Sequence, residues 1–238
     1  MLDNWSEGMA KEYYQVSYKT YPNERVKPVL FRGRETFPLY VQLTYDRKTT
    51  TLKSYYFDVF AQPMYDYLGT TISQMDELES RVIDYVTVKY ADRFDLSEFP
   101  SRYRMFNKDV LDSLEKPFKE WLISFFEEER APGYAALLRL GMQTVCALEL
   151  WDEFQIALAP ELYQLLMTKA AKDAPPYIPM AEFIRNRQPK GPFCLPLHEW
   201  IQHEKQVEAE EYIYNEFHDY SMGRIFKVIR TLLHPQGF

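Results

Sequence analysis

The chain has 238 residues, 46% of them hydrophobic, so it is long and apolar enough to bury a core, and disorder is excluded as its main state. Its formal net charge of −7 excludes nonspecific nucleic-acid binding by the whole surface, because that binding depends on cations that neutralise phosphates. The two cysteines, Cys146 and Cys194, form no CxxC pair, which excludes a sequence signal for a disulfide framework or a zinc site and favours a reducing cytoplasm.

The first predicted elements along the chain are β-strands. Residues 38–45 alternate apolar and polar side chains with a period of two, Asp46-Arg47-Lys48 predicts a turn, and residues 49–57 are rich in Thr and Tyr, as strands tend to be. Residues 27–31 are expected to form an outer strand, since Pro28 cannot donate to a central ladder. The pattern predicts a small antiparallel three-stranded β-meander.

After Gly69 the apolar residues follow steps of three and four behind a cap region of Thr70, Thr71 and Ser73, which indicates helices. The expected organisation is therefore an N-terminal segment over residues 1–68 and a helical domain over 69–238, a mainly α (α+β) fold with a multi-helix bundle. Prolines 117, 132 and 160 favour helix starts. The further predicted segments are helices at 107–116, 117–130, 134–158, 197–220 and 221–233, and an irregular Pro-rich segment at 173–196 with a short helix at 180–186.

The predicted helix over residues 134–158 is apolar almost all round, so we expect it to be the buried spine of the core. It is also the most apolar stretch of the chain. It contains charged residues, however, whereas a membrane-spanning helix needs about 20 nearly uncharged ones. The first 14 residues mix acids and bases and lack the apolar region of a signal peptide. We therefore expect neither a membrane segment nor a secretion signal.

The predicted β-element is basic. Between Arg25 and Tyr55, seven cations stand against two acids, which gives +5 and leaves −12 for the rest of the chain. A basic hairpin with exposed tyrosines, expected at Tyr40, Tyr55 and Tyr56, offers cations to phosphates and planar side chains to bases or sugars. The alternative is a sheet edge whose Lys and Arg side chains prevent self-pairing. The predicted nucleic-acid contacts in this element are Arg32, Arg34, Tyr40, Arg47, Lys48 and Lys53.

The run Pro38-Leu39-Tyr40-Val41-Gln42-Leu43-Thr44-Tyr45-Asp46-Arg47-Lys48, with the strand after it, resembles the N-terminal arm-type DNA-binding meander of tyrosine recombinases from mobile elements. The resemblance covers about residues 26–60 and implies DNA binding by this sheet. A complete recombinase would also carry a helical core-binding domain and a catalytic domain with an Arg, a His-x-x-Arg motif and a nucleophilic Tyr. None of the four histidines (His198, His203, His218, His234) is followed by Arg three positions later, so recombinase catalysis is not expected.

The last predicted helix has one basic and one apolar face. Arg224, Lys227 and Arg230 recur every three residues, opposite isoleucines and leucines. This stripe is a second candidate for contact with phosphates or with an acidic partner. The alternative is a solvated face that pairs with the acidic helix before it, which carries Glu204, Glu208 and Glu211.

Other chemistries lack the required spacing. His198 and His203 are five residues apart, whereas two zinc ligands on one helical face need a separation of four. The eight glycines never cluster into a phosphate-binding loop, and there is no GxSxG motif. Glu149, Asp152 and Glu153 in the apolar helix are expected to reach water at its end or to meet an arginine such as Arg102 or Arg104. No metal and no cofactor is predicted.

The sequence favours a noncatalytic nucleic-acid-binding accessory subunit whose helical body docks onto a protein partner or a second copy of the chain. The recombinase-arm resemblance implies an origin in a mobile element or phage-related system. The rival hypothesis is a structural or adaptor protein without a nucleic-acid role, which recruits protein through its aromatic residues and the segment 173–196. A third hypothesis, an enzyme, requires a pocket that gathers Glu149, Asp152 or the histidines.

Overall fold

The computed structural model describes residues 15–187 and 192–233. His234 and part of the Pro-rich segment lie outside the described residues. The fold is mainly α with a small antiparallel three-stranded sheet near the N-terminus, which confirms the predicted fold class. The strands are β1 (Ser17–Pro22), β2 (Val29–Phe31), β3 (Arg34–Thr36), β4 (Leu39–Tyr45) and β5 (Lys48–Lys53).

Helices follow the sheet to the end of the described chain. Within residues 15–187 and 192–233, no helix is both long and apolar enough to cross a membrane. The α-helices are α1 (Tyr55–Phe60), α2 (Ile72–Lys89), α3 (Phe99–Phe106), α4 (Val110–Glu128), α5 (Pro132–Leu140), α6 (Ala147–Ala157), α7 (Pro160–Asp173), α8 (Tyr177–Arg187), α9 (Leu197–Trp200), α10 (His203–Glu216) and α11 (Met222–Leu233), with 3-10 turns at Pro63–Leu68 and Ala91–Arg93.

The three-stranded sheet has the order β1-β4-β5, and both pairings are antiparallel. The alternation predicted for residues 38–45 is present in β4, where Leu39, Val41 and Leu43 are buried. Val41 and Leu43 share a hydrophobic cluster with apolar residues of α2 and α3. One face of the sheet is therefore closed by helices, and the polar side chains of β4 are turned to the other face.

The predicted outer strand over residues 27–31 is wrong, because β1 occupies that place. Val29–Phe31 pairs with Arg34–Thr36 in a separate two-stranded hairpin. Phe31 is buried and its ring stacks on Phe57 of α1 at 5.7 Å, so the hairpin is held against α1. The predicted strand over residues 49–57 ends early, at Lys53, because the Ser54 hydroxyl accepts a hydrogen bond from the Phe57 amide and caps α1.

Both hairpins turn through two residues with positive φ. The β4–β5 turn is Asp46-Arg47, with φ values of 48° and 59°, and the β2–β3 turn is Arg32-Gly33, with 50° and 73°. Two-residue turns with positive φ at both positions match the twist of the flanking strands, but they favour Asn and Gly. An arginine in each turn is therefore held in a conformation that costs backbone free energy.

We expect Arg47→Gly to raise the free energy of unfolding by about 1 kcal/mol, because glycine adopts positive φ without the steric cost borne by Arg47. Thermal and urea unfolding of the purified variant measure the gain. Lys48→Gly is the matched control, since Lys48 begins β5 and glycine weakens strands, so this variant should lose stability. Equal or lower stability of Arg47→Gly relative to the native protein would contradict the strain assigned to the turn.

The helices predicted at 107–116 and 117–130 are one helix, α4, with Pro117 in its interior. Asp109 caps its start, since its carboxylate accepts a hydrogen bond from the Leu111 amide. Pro117 removes one backbone hydrogen bond. The helix nevertheless continues, because Leu114 and Phe118, on either side of the proline, are buried in the same hydrophobic cluster.

The predicted spine helix over residues 134–158 is also wrong, because α5 and α6 are separated by residues 141–146. Two side chains of α4 form hydrogen bonds with the backbone where the two helices are separated. Lys119 Nζ donates to the Met142 carbonyl at 3.0 Å, and Glu115 Oε1 accepts from the Ala147 amide at 2.6 Å. Leu140 of α5 is 81% exposed, so α5 is not a buried spine.

The described part of the Pro-rich segment, residues 173–187 and 192–196, is largely helical and buried rather than irregular. α8 covers Tyr177–Arg187, and most of its residues belong to the core. Leu195 follows the part outside the described residues and is tied to the start of α4, since its amide donates to Asp109 Oδ1 at 2.9 Å. The long helix predicted over 197–220 is divided into α9 and α10, whereas the helix predicted over 221–233 is confirmed as α11. The domain boundary at residue 68 stays a prediction.

Candidate nucleic-acid interface

The face of the sheet that is turned away from α2 and α3 is called here the outer face, and it consists of three cross-strand rows. Lys19, Gln42 and Thr51 form the central row, and Tyr21, Tyr40 and Lys53 form the row at one end. The third row holds Ser17, Thr44 and Thr49, where the Thr44 and Thr49 hydroxyls lie 3.0 Å apart. These side chains are exposed or half-buried, and the face offers hydrogen-bonding groups in every row.

The outer face also carries an aromatic pair with a cation beside it. The rings of Tyr21 and Tyr40 lie 6.5 Å apart across β1 and β4, and Lys19 Nζ lies 5.4 Å from the centre of the Tyr21 ring. The pair and the cation are therefore fixed relative to each other on strands rather than on a loop.

The predicted cations of the β-element are divided between the two ends of the sheet. Arg47 and Lys48 are exposed at the β4–β5 turn, where Lys48 lines a cavity of about 820 Å³ together with Arg93 and Phe94. Lys53 lies at the opposite end and forms an ion pair with Asp58. The seven residues of β4 separate these ends by roughly 20 Å, since a strand rises about 3.3 Å per residue.

The β2–β3 hairpin carries Arg32 and Arg34 outside the three-stranded sheet. Arg32 lies over the Phe31 ring at 5.0 Å, and its Nε is 4.0 Å from an Asp66 carboxylate oxygen, so its guanidinium anchors the hairpin. Arg34 is exposed. Of the tyrosines expected at the surface, Tyr40 is half-buried on the outer face, and Tyr56 is only 1% exposed, so its assignment as an exposed side chain is wrong.

The three cations of the basic stripe on α11 also differ in their surroundings, since one is engaged and two are exposed. Arg224 donates from Nη1 to the Ala171 carbonyl at 3.2 Å and from Nη2 to the Ala174 carbonyl, so it satisfies the C-terminal end of α7. Lys227 and Arg230 are exposed. The face with Ile225 and Ile229 is buried in the core, as the sequence predicts.

Sequence reasoning missed Lys19 and Gln42 as members of the site. The missing signal was the alternation in residues 17–22, where Tyr18 and Thr20 alternate with Lys19 and Tyr21 and identify a third strand. Gln42 lay inside a strand that was predicted correctly, but its place between Lys19 and Thr51 follows only from the register.

A buried carboxylate links the end of the sheet to the neighbouring helices. Glu79 of α2 is fully buried, and its Oε1 accepts from the Ser54 hydroxyl at 2.5 Å and from the Tyr56 amide at 3.3 Å. Its Oε2 accepts from the Tyr103 hydroxyl of α3. Burial raises the pKa of Glu79 to about 7. This carboxyl group joins the end of β5 to α1, α2 and α3.

The raised pKa of Glu79 predicts a pH-dependent stability. Because the folded-state pKa of about 7 exceeds the ordinary value of 4.5, the protonated carboxyl stabilises the fold fully below pH 4.5, and this contribution is lost as the pH rises to 7. We expect the stability difference between native protein and Glu79→Gln to change by at most about 3 kcal/mol over that range, in favour of the variant at high pH.

Urea unfolding at several pH values tests the linkage. Asp109, whose pKa is also raised to about 7 by burial, is present in both proteins, so its contribution cancels in the difference. Parallel stability curves for the two proteins between pH 4.5 and 7 would contradict the role assigned to Glu79.

Asp152 and His198, one residue from each of the acidic and histidine groups, have structural partners. Asp152 pairs with Arg185 at 2.8 Å rather than with Arg102 or Arg104, and it accepts from the Tyr67 hydroxyl at 2.8 Å. His198 is buried beside the Phe106 carbonyl, and burial lowers its pKa to about 4. No three His, Cys, Asp or Glu side chains are grouped for metal binding within the described parts of the chain.

The geometry brings together cations, hydrogen-bonding side chains and an aromatic pair on one face of a small sheet. This arrangement suits contact with phosphates and base edges. Comparison with protein-family models, curated proteins and solved structures finds no match to the chain.

Proposed function

We propose that the chain is a noncatalytic nucleic-acid-binding protein, and that the outer face of its three-stranded sheet enters the major groove of duplex DNA. The observation that carries the proposal is the composition of that face, where Lys19 and Lys53 flank Tyr21, Tyr40 and Gln42. Phosphate binding needs local cations, and the sheet supplies Lys19 and Lys53 on its outer face and Arg47 and Lys48 at the β4–β5 turn, in a chain whose net charge is −7.

The dimensions of the sheet favour duplex DNA. Three strands about 4.8 Å apart are roughly 10 Å wide, which fits the B-DNA major groove of about 12 Å. The major groove of A-form RNA is too narrow for side chains to read. In the proposed complex, Gln42 reads base edges, since Gln pairs with adenine through two hydrogen bonds, and Lys19, Arg47, Lys48 and Lys53 meet phosphates.

The helical body then serves as a docking surface for another protein, and an origin in a mobile element or phage-related system rests on the recombinase-arm resemblance. An adaptor without a nucleic-acid role is the second candidate. It draws support from the exposed apolar side chains Leu137, Leu140 and Ile156 on α5 and α6. The Pro-rich segment no longer supports it, because most of its described residues are buried.

Titration of the purified protein into labelled duplex DNA, duplex RNA and single strands across a salt series tests the proposal. We expect duplex DNA to bind most tightly, with log K falling against log salt at a slope of about −3.6 for four phosphate contacts, at about −0.9 each. Absence of binding at low salt would overturn the proposal and favour the adaptor, for which stable co-purification with a protein partner is the expected result.

A further inference from the structure

A basic cleft lies beside one end of the sheet. It has a volume of about 520 Å³ and is bounded by the end of β5, by α1 and by the junction of α3 and α4. Lys53, Arg104 and Lys108 line it together with Ser113. Lys53 precedes Arg104 and Lys108 by about 50 residues in the sequence, so no local sequence pattern indicates that it lies close to them.

The acids of the cleft are engaged, whereas two of its cations are not. Asp58 pairs with Lys53, and Asp112 accepts a hydrogen bond from the Tyr65 hydroxyl. Arg104 and Lys108 are exposed, and neither forms an ion pair or a side-chain hydrogen bond within residues 15–187 and 192–233. The cleft therefore presents two cations that are available to an anion.

Arg104 and Lys108 are held by rigid elements. The buried side of α3 carries Phe99, Tyr103 and Phe106, so Arg104 projects away from the core. Lys108 precedes Asp109, whose carboxylate accepts from the amides of Leu111 and Leu195 and fixes the junction. The backbone positions of the two cations are thus fixed, so an anion has to order only their side chains.

The cleft continues the outer face of the sheet. Lys53 is opposite Tyr40 in the register and also lines the cleft, so a chain of phosphates that leaves the sheet at this end meets Arg104 and Lys108 next. α11 reaches the same cleft at Leu232, two residues after the exposed Arg230. The cleft therefore lies between the two basic regions that the sequence indicates.

We propose that this cleft is a second phosphate-binding site, in which Arg104 and Lys108 hold the backbone of the same nucleic acid just beyond the sheet. The inference rests on the proposed function and extends it from a single face to a longer track. It predicts that the sheet alone accounts for binding to a short duplex and that the cleft contributes only when the duplex is longer.

The test compares Arg104→Gln/Lys108→Gln with a control, Lys172→Gln/Arg187→Gln, which removes two exposed cations of the helical body. Each protein is titrated with duplexes of about 8 and about 20 base pairs; the shorter one, at 3.4 Å per base pair, is about as long as β4. On the longer duplex, we expect the double variant to lose roughly tens-fold in affinity at 0.1 M salt and to show a slope less steep by about 1.8. On the shorter duplex, it should match the control.

Equal behaviour of the double variant and the control on both duplexes would overturn the cleft assignment, while intact binding of the short duplex would leave the proposed function standing. Failure of the native protein to bind either duplex would overturn both. Tripolyphosphate at matched ionic strength distinguishes a free phosphate compound from the nucleic-acid backbone. Tight tripolyphosphate binding that disappears in the double variant, with duplex affinity unchanged, would also overturn the assignment.

Discussion

Replacement of Lys119 by Met lowers the free energy of unfolding by about 3–5 kcal/mol, which is the usual cost of leaving one charge of a buried ion pair without its partner. Lys119 Nζ lies 2.7 Å from Glu115 Oε1, and the two side chains are only 1% and 4% exposed. Methionine keeps most of the volume of lysine, so the loss of the charge and of its hydrogen bonds dominates the effect.

The same substitution should also destabilise the segment that connects α5 and α6. Lys119 donates to the Met142 carbonyl, and Glu115 accepts from the Ala147 amide, so the pair satisfies backbone groups at both ends of residues 141–146. We therefore expect faster hydrogen exchange in that segment in addition to the loss of global stability.

Two further variants separate charge from packing. Lys116→Met removes an exposed cation whose ion pair with Glu120 spans 3.7 Å, and it should change stability by less than about 0.5 kcal/mol. Glu115→Leu/Lys119→Met leaves no unpaired charge and should be more stable than Lys119→Met alone. Urea unfolding measures all three, and a loss below about 1 kcal/mol for Lys119→Met would contradict the structural importance of the pair.

Reversing the charge of three sheet cations should lower the affinity for duplex DNA by roughly 10²- to 10³-fold at 0.1 M salt. The triple variant carries Lys19→Glu, Arg47→Glu and Lys48→Glu. Each phosphate contact contributes about 0.9 to the slope of log K against log salt. At 0.1 M salt, three contacts therefore raise the affinity by nearly three decades over its value at 1 M salt. All three side chains are exposed, so the fold should tolerate the change.

The matched control reverses three exposed cations of the helical body, Lys116, Lys172 and Arg187. It alters the net charge by the same amount, so any general electrostatic effect appears in both proteins. Circular dichroism and thermal unfolding check that both remain folded. An equal loss of affinity in the two triple variants would show that binding does not depend on the sheet.

Local patterns predicted several elements correctly, whereas long-range contacts decided the others. The alternation in β4 and the apolar spacing of α11 are produced by burial of one face, so they can be read from neighbouring residues. The unbroken course of α4 through Pro117 depends on burial of both its halves in one core. The break between α5 and α6 depends on Glu115 and Lys119, which lie more than 20 residues away from it.

The candidate site was predictable only in part, for the same reason. The local excess of cations pointed to the β-element, and the structure places Tyr40 and Lys53 on the outer face. The register of the strands decides which side chains share that face, and it places Lys19 there. Arg32 is not on the outer face, because it belongs to the separate β2–β3 hairpin. The composition of α11 gave no indication that Arg224 would be engaged by carbonyl groups at the end of α7.

Lysine footprinting of the native protein, with and without bound duplex DNA, tests most directly whether the outer face is the interface. Under conditions of single acetylation per molecule, mass spectrometry measures the modification rate of each lysine. We predict that duplex DNA slows modification of Lys19, Lys48 and Lys53 and leaves Lys116 and Lys172 unchanged. Unchanged rates at Lys19 and Lys53 in the presence of saturating duplex would contradict the proposed interface.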